Sequence, residues 1–392
     1  MAVKTVWVLG AGFSRSLGGP LLPDLLSPAT NNFVGALYGE NPFIGRLDQP
    51  GANANNRSEE LRATATVRNL YRDRGPGAAE GKRFWPDAEV FLDQLDAAAL
   101  GPKTAAARRL QGALDDAFGP DQGEEPGWNA LRNAARRLVA AAACAFLKDA
   151  DLEEERWQPY RGWAQQANRS DSIVTFNYDR VLELIGGNNL RIVHPTQQAR
   201  EPDSSARVYK LHGSVDWLRE ERSPGKVTWS IGSCEGREEL ALTREGNQIG
   251  IATPGPSKRI AAEQLSLVWQ GALDRLREAN VIVFMGYRFP PSDAEAREKL
   301  LGAIQESSSK HLELHIVLGP DRKLPDVVRL EQLLRYSVDR AGRHEYNATN
   351  VALDPADFDT RRFRLSTHAL FAEDFLTVWD RKLLWRFKDP SE

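Results

Sequence analysis

Three side chains stand where they could act together on one bound group: an amide, a carboxylate and an imidazole. Asn177 and Asp179 close the run Ser172-Ile-Val-Thr-Phe-Asn-Tyr-Asp179, and His212 ends Tyr209-Lys-Leu-His212, just ahead of Gly213. A carboxamide donates and accepts at once, and a neutral imidazole can take a proton near neutral pH. Near the chain's start, Gly10-Ala-Gly-Phe-Ser14 follows an apolar run. Glycines directly after a strand let the backbone approach a phosphate closely, and the next helix offers free N–H groups. Each feature also has a plain structural explanation. Gly-x-Gly makes a tight strand-to-helix turn, and Ser14 or Asp179 could simply cap a helix.

For these groups to meet, each must stand at the carboxyl end of a strand, where open α/β sheets hold their ligands. Val3–Leu9, Ile173–Phe176, Tyr209–Leu211, Val281–Met285 and Leu312–Leu318 read as such strands. Val281–Met285 runs into Gly286-Tyr-Arg-Phe-Pro-Pro-Ser-Asp293, with Asp293 placed to cap the next helix. The last of the set ends in Gly319-Pro-Asp321, and Ala261–Asn280 has helical spacing. This alternation predicts an α/β fold: a Rossmann-like parallel sheet with helices on both faces. The full dinucleotide fingerprint is not met, because Arg15 stands where a third glycine belongs and no acidic residue follows at the expected distance.

At 392 residues, one large or two ordinary domains are expected. Residues 1–30 and 165–392 read as a discontinuous α/β domain, and 31–164 as a mainly helical insertion. Asn31–Arg83 has poor periodicity and reads as loop, a candidate lid. Asp87–Leu95, Lys103–Phe118 and Trp128–Leu152 have helical spacing. Trp217–Asn247 is hairpin-like, and from Pro325 onward the chain reads as helical and irregular, with aromatic anchors at Phe363, Phe371, Phe375, Trp379 and Trp385. A net charge of −3 argues against direct nucleic-acid binding. No apolar run spans a bilayer and no signal peptide is evident, so a cytoplasmic protein without membrane attachment is expected. Two cysteines, Cys144 and Cys234, cannot form a four-cysteine zinc site, so no zinc and no other metal is expected.

These motifs resemble a known family. Gly10-Ala-Gly-Phe-Ser14 with Gly19-Pro20 looks like the opening motif of sirtuin-like proteins, Thr175-Phe-Asn-Tyr-Asp179 like their asparagine/aspartate motif, and Leu211-His-Gly213 like their catalytic histidine motif. Gly286–Asp293 and Asp87-Ala-Glu89 resemble the divergent bacterial branch. True sirtuin deacylases carry a zinc ribbon and a Pro-Asp-Phe-Arg type segment. Here the cysteines are missing and Pro20 is followed by Leu21-Leu22. The divergent branch, known mostly from bacterial antiphage defence, hydrolyses NAD.

The resemblance implies an NAD glycohydrolase that takes NAD as substrate and needs no bound cofactor. Asn177, His212 and Asp179 would be catalytic. Gly10, Ala11, Gly12, Phe13 and Ser14 would cradle the pyrophosphate, and Gly286, Tyr287 and Asp293 would complete the binding site. It also implies a homo-oligomer and, by analogy with some relatives, a HerA-type ATPase partner. Two alternatives stay open: a regulatory module that binds NAD or ADP-ribose without turnover, and an ADP-ribosyltransferase or zinc-less deacylase. The remaining histidines, His194, His311, His315, His344 and His368, read as ordinary hydrogen-bonded residues.

Overall fold

Thr-Val-Trp-Val-Leu at 5–9 is a continuous run of β-branched and apolar residues, and all five are buried, as expected of a strand covered on both faces. In the computed structural model this strand lies inside the sheet that organises the chain. The described residues are 3–21, 24–26, 63–64, 66–71, 85, 88–101, 103–118, 127–196, 204–223, 226–231, 246–256, 258–290, 293–346 and 360–380.

The strands in chain order are β1 (Thr5–Leu9), β2 (Asp171–Thr175), β3 (Leu190–Ile192), β4 (Ala206–Lys210), β5 (Gly213–Ser223) and β6 (Lys226–Ile231). They continue as β7 (Ile249–Ile251), β8 (Val281–Met285), β9 (His311–Val317), β10 (His344–Glu345) and β11 (Arg362–His368). The helices are α1 (Ala88–Leu100), α2 (Ala105–Phe118), α3 (Trp128–Ala145), α4 (Gln158–Gln166) and α5 (Val181–Gly186). After them come α6 (Lys258–Gln264), α7 (Ser266–Glu278), α8 (Ala294–Gln305), α9 (Pro325–Arg340) and α10 (Ala372–Val378).

Eight strands form a parallel sheet in the order β10-β11-β9-β8-β1-β2-β4-β3. From β1 the chain builds outward through β2 on one side and β8 on the other. That is a topological switch point, where the loops at the strand ends part and leave a crevice. A second sheet, β6-β5-β7, is antiparallel.

Alternate residues of β1 serve opposite faces. Val6 and Val8 pack with Ile282, Phe284 and Leu314 under Val268 of α7, Leu300 of α8 and Leu330 of α9. Trp7 and Leu9 face Tyr160 and Trp163 of α4, Val181 of α5 and Phe375 of α10. Trp7 meets Trp163 and Trp379 edge-on, with centroids 5.3 and 5.2 Å away. The α/β class expected from the sequence is therefore what the chain adopts, with helices on both faces.

The helices of the 31–164 range divide between two cores. α1, α2 and α3 share a core of their own with Val215, Ile249 and Ile251 of the small sheet, whereas α4 packs on the main sheet. Residues 63–64 and 66–71, inside the stretch expected to be loop, are helical, and Ala63, Val67 and Leu70 are buried in that same core. The rest of the candidate lid, residues 31–62, 65 and 72–83, lies outside the described residues. The C-terminal part also differs from the helical, irregular segment expected: Arg362–His368 is a seven-residue strand paired in parallel to β9. Among the described residues, no helix is long and apolar enough to cross a membrane.

Candidate active site

The loop after β1 and the loop after β8 are bound to each other. Gly10 N–H donates to Met285 O at 3.0 Å, Gly12 N–H to Gly286 O at 3.2 Å, and Phe13 N–H to Gly10 O at 2.8 Å. A Cβ on Gly10 would stand 2.6 Å from Gly286 O, and one on Gly286, at φ +68°, would stand 2.4 Å from Phe13 N. The glycine pattern thus first serves a backbone-to-backbone approach, and three amides expected to face a phosphate are engaged inside the protein. Phe13 turns its ring into the core against Tyr160, centroids 5.1 Å apart. The cavity wall holds Gly10, Ala11 and Gly12 but neither Phe13 nor Ser14.

Ser14 acts from behind the wall. Its hydroxyl donates to Asp179 Oδ2 at 2.7 Å and accepts from Asn177 Nδ2 at 2.9 Å. A hydroxyl that donates to a carboxylate must take its second bond as an acceptor, so the Asn177 amino group faces Ser14 and its carbonyl oxygen points away. Asp179 Oδ1 accepts from Val181 N–H at 3.1 Å, at the first residue of α5, whose N-cap position is held by Arg180. Beneath this turn the buried Lys210 ammonium donates to Asp179 O (2.6 Å), Glu183 Oε1 (2.7 Å) and Ser214 Oγ (2.8 Å). Burial raises the Asp179 pKa above the ordinary carboxylate value, against the charge of Lys210 and the hydrogen bonds from Ser14, Val181 and Asn177.

His212 occupies the turn from β4 into β5. Gly213 follows at φ +80°, and a Cβ there would meet Gly250 O at 2.0 Å, so the residue after the imidazole must be glycine. The ring lies edge-on to Phe176, centroids 4.9 Å apart, and Phe176 in turn stacks on Tyr287 at 3.9 Å and 2°. Burial, helped by Lys258 and opposed by Asp293, lowers the imidazole pKa from 6.5 to about 4, so the ring is neutral at neutral pH.

That shift has a consequence for stability. Below pH 6.5 the unfolded chain takes up a proton that the folded ring refuses until about pH 4. The stabilisation is fully present above pH 6.5 and is lost as pH falls towards 4. It amounts to about 3 kcal/mol, less to the extent that cavity water reaches the ring. Urea-unfolding free energies should therefore fall more steeply with acidification in the wild type than in His212→Gln. Parallel curves for the two proteins would contradict the burial of this ring.

Asp293 holds the N-cap position of α8, but its side chain does not act as the cap expected. No side-chain hydrogen bond caps α8. Instead Oδ2 accepts from the Tyr287 hydroxyl at 3.2 Å and Oδ1 accepts from Lys258 Nζ, with His212 Nε2 3.6 Å from that same oxygen. A carboxylate at 5% exposure draws more from an ammonium and a phenol than from two helix N–H groups. Burial works against its ionisation. Its positive neighbours His212 and Lys258, with the hydrogen bonds from Lys258 and Tyr287, outweigh burial and hold the pKa below the ordinary value. Since His212 is neutral above about pH 4, Lys258 is the cation that pairs with Asp293 at neutral pH.

These groups surround a cavity of about 390 Å³. Asn177, Asp179, His212, Gly286, Tyr287 and Asp293 all reach it, as does Gly319 of the loop after β9. The structure also places there residues that the sequence reading missed: Phe176, Lys258, Arg15, Arg288 and the half-exposed Phe371. Phe176 stood inside a quoted motif, and Phe371 among the aromatic anchors. Lys258 carried no local signal, because its partner is 35 residues away. Arg15 and Arg288 are held only loosely, by Asp24 and Asp326, each at 3.4 Å. Among the described residues, no three His, Cys, Asp or Glu side chains are grouped so as to hold a metal ion.

An oriented amide, a neutral imidazole, a buried and a half-buried carboxylate beside two loosely paired guanidinium groups can together hold an anionic, hydroxyl-rich ligand and position a water. No curated protein matches the chain. The family model described as SIR2-like domain matches residues 171–339, from the first residue of β2 into α9, a span holding Asn177, Asp179, His212, Tyr287 and Asp293. The glycine loop after β1 lies outside that span, yet hydrogen bonds join it to the loop after β8, inside the match. Residues 171–339 of the chain are thus similar to a SIR2-like domain.

Proposed function

We propose that this crevice binds NAD and hydrolyses its nicotinamide–ribose bond to give nicotinamide and ADP-ribose. The observation that carries the reading is the meeting of Asn177, with its Ser14–Asp179 support, and the neutral His212 on one cavity joined to the glycine loop. Breaking this bond builds oxocarbenium character on the ribose, and the pyridinium leaves as neutral nicotinamide without needing a strong acid. The site therefore has to hold the ribose, exclude stray water and aim one water at the sugar carbon.

Asn177, with its carbonyl oxygen free of Ser14, binds that water or a ribose hydroxyl. His212 takes the proton released as the water oxygen bonds to carbon. Arg15 and Arg288 meet the pyrophosphate charge, a role that the engaged loop amides leave to side chains. In the cell such an enzyme would deplete NAD, and the resemblance to the divergent bacterial branch supports a role as an effector of antiphage defence, acting as an oligomer with a partner that senses infection.

The product balance tests this reading. Incubated with NAD, the protein should release nicotinamide and ADP-ribose in equal amounts with little cyclic product. Label from the ADP-ribose half appearing on protein or on an acetyl group would move the assignment to transferase or deacylase chemistry.

A further inference from the structure

Lys258 lines the cavity, opens α6 just after Pro254-Gly-Pro256, and has no part in the reaction as written above. Its ammonium is bonded to Asp293 Oδ1, the same oxygen that stands 3.6 Å from His212 Nε2. At 3.6 Å the imidazole has no hydrogen bond to that oxygen. The other carboxylate oxygen accepts from Tyr287, so the oxygen nearest the imidazole is the one whose negative charge Lys258 offsets.

We infer that Lys258 competes with His212 for Asp293 Oδ1 and so restrains the imidazole's basicity, a restraint lifted when Lys258 leaves that oxygen. The inference rests on the reading of His212 as the proton acceptor. Few other charges bear on the ring. Phe176 is apolar, and burial pushes the hydroxyls of Tyr178 and Tyr287 well up, so both are neutral. Asp179 is committed to Ser14 and Val181. Farther out, Glu89 of α1 and Arg136 of α3 act on Tyr178, and Arg297 of α8 acts on Tyr287, not on the imidazole. Asp293 favours a proton on His212 and Lys258 opposes it, with burial acting in the same sense as Lys258.

The charge of Lys258 also acts on a second carboxylate. Asp93 of α1, on the helical insertion, is raised by burial and by its neighbour Asp96, and the charge of Lys258 works to lower it. A Lys258 moved off Asp293 would still lie within the field of Asp93. Asp293 Oδ1 would then be open to His212 Nε2–H once the ring has taken its proton.

The test reads the His212 titration directly by NMR of the imidazole carbons, in a chain with six histidines to assign. The wild-type midpoint should lie near 4. In Lys258→Met it should rise by about one pH unit or more, the scale for removing a like charge near a partly wet site. Lys258→Gln provides a milder variant should methionine destabilise the fold. Adding Asp293→Asn should abolish the rise. An unchanged midpoint in both Lys258 variants would overturn the inference, as would a rise that persists without the Asp293 carboxylate.

Turnover is measured separately. With the raised midpoint, nicotinamide release at neutral pH should increase by about 3–10-fold, the gain expected for a stronger base. A shifted midpoint without that gain would overturn the restraint. A shifted midpoint with no nicotinamide from any variant would instead refute the NAD reading and leave the competition for Asp293 standing.

Discussion

His212→Ala should lower nicotinamide release by about 10²–10⁴-fold, the usual scale for losing a positioned general base. NAD affinity should change little, because the groups proposed to meet the phosphates, Arg15 and Arg288, belong to the loops after β1 and β8. The fold should also survive. The main chain of His212 keeps its hydrogen bond from Ala252 N–H, and Gly213, which makes the turn, is untouched. A fluorescence or calorimetric titration with NAD beside the nicotinamide assay would separate the two effects. Equal loss of binding and turnover would point instead to a ring that holds substrate without moving a proton.

Gly286→Ala should damage the protein far more broadly. The residue sits at φ +68°, where a side chain alone costs about 1–2 kcal/mol. Its Cβ would also lie 2.4 Å from Phe13 N and 2.5 Å from Gly12 C, both backbone atoms that cannot rotate aside. Separating the two loops breaks the Gly12-to-Gly286 hydrogen bond and displaces Ser14 beneath Asn177 and Asp179. A loss of about 3–5 kcal/mol in unfolding free energy is expected, together with activity. Wild-type stability in Gly286→Ala, measured by urea unfolding, would show that the loops can part freely.

Much of this arrangement was legible because buried parallel strands announce themselves. Val281–Met285 and Thr5–Leu9 are continuous apolar runs, and each ends in the glycines and polar residues that reach the cavity. β11 was not legible. Arg362-Phe-Arg-Leu-Ser-Thr-His368 interleaves charged and apolar residues, and most of it is only half-buried, so it reads like an exposed, irregular segment. The helix around Ala63–Tyr71 was obscured by Thr64, Thr66 and Val67, β-branched residues that dilute a helical pattern.

At the site, residue types were legible but some roles were not. Asp293 before a helix has the same local pattern whether it caps the helix or turns to a lysine 35 residues away. Gly10 and Gly12 follow a strand in the pattern expected to bring backbone close to a phosphate. What approaches them is the backbone of Gly286. Contacts of that kind are set by tertiary packing and leave no trace in spacing.

The account stands most directly on a four-protein comparison: wild type, Asn177→Ala, His212→Ala and the double variant, each assayed for nicotinamide release and titrated with NAD. If the oriented amide and the neutral imidazole act as one unit on one water, each single change should cost about 10²–10⁴-fold, and the double little more than either alone. Hydrolysis at the wild-type rate in His212→Ala would contradict the account and place the reaction elsewhere in the molecule.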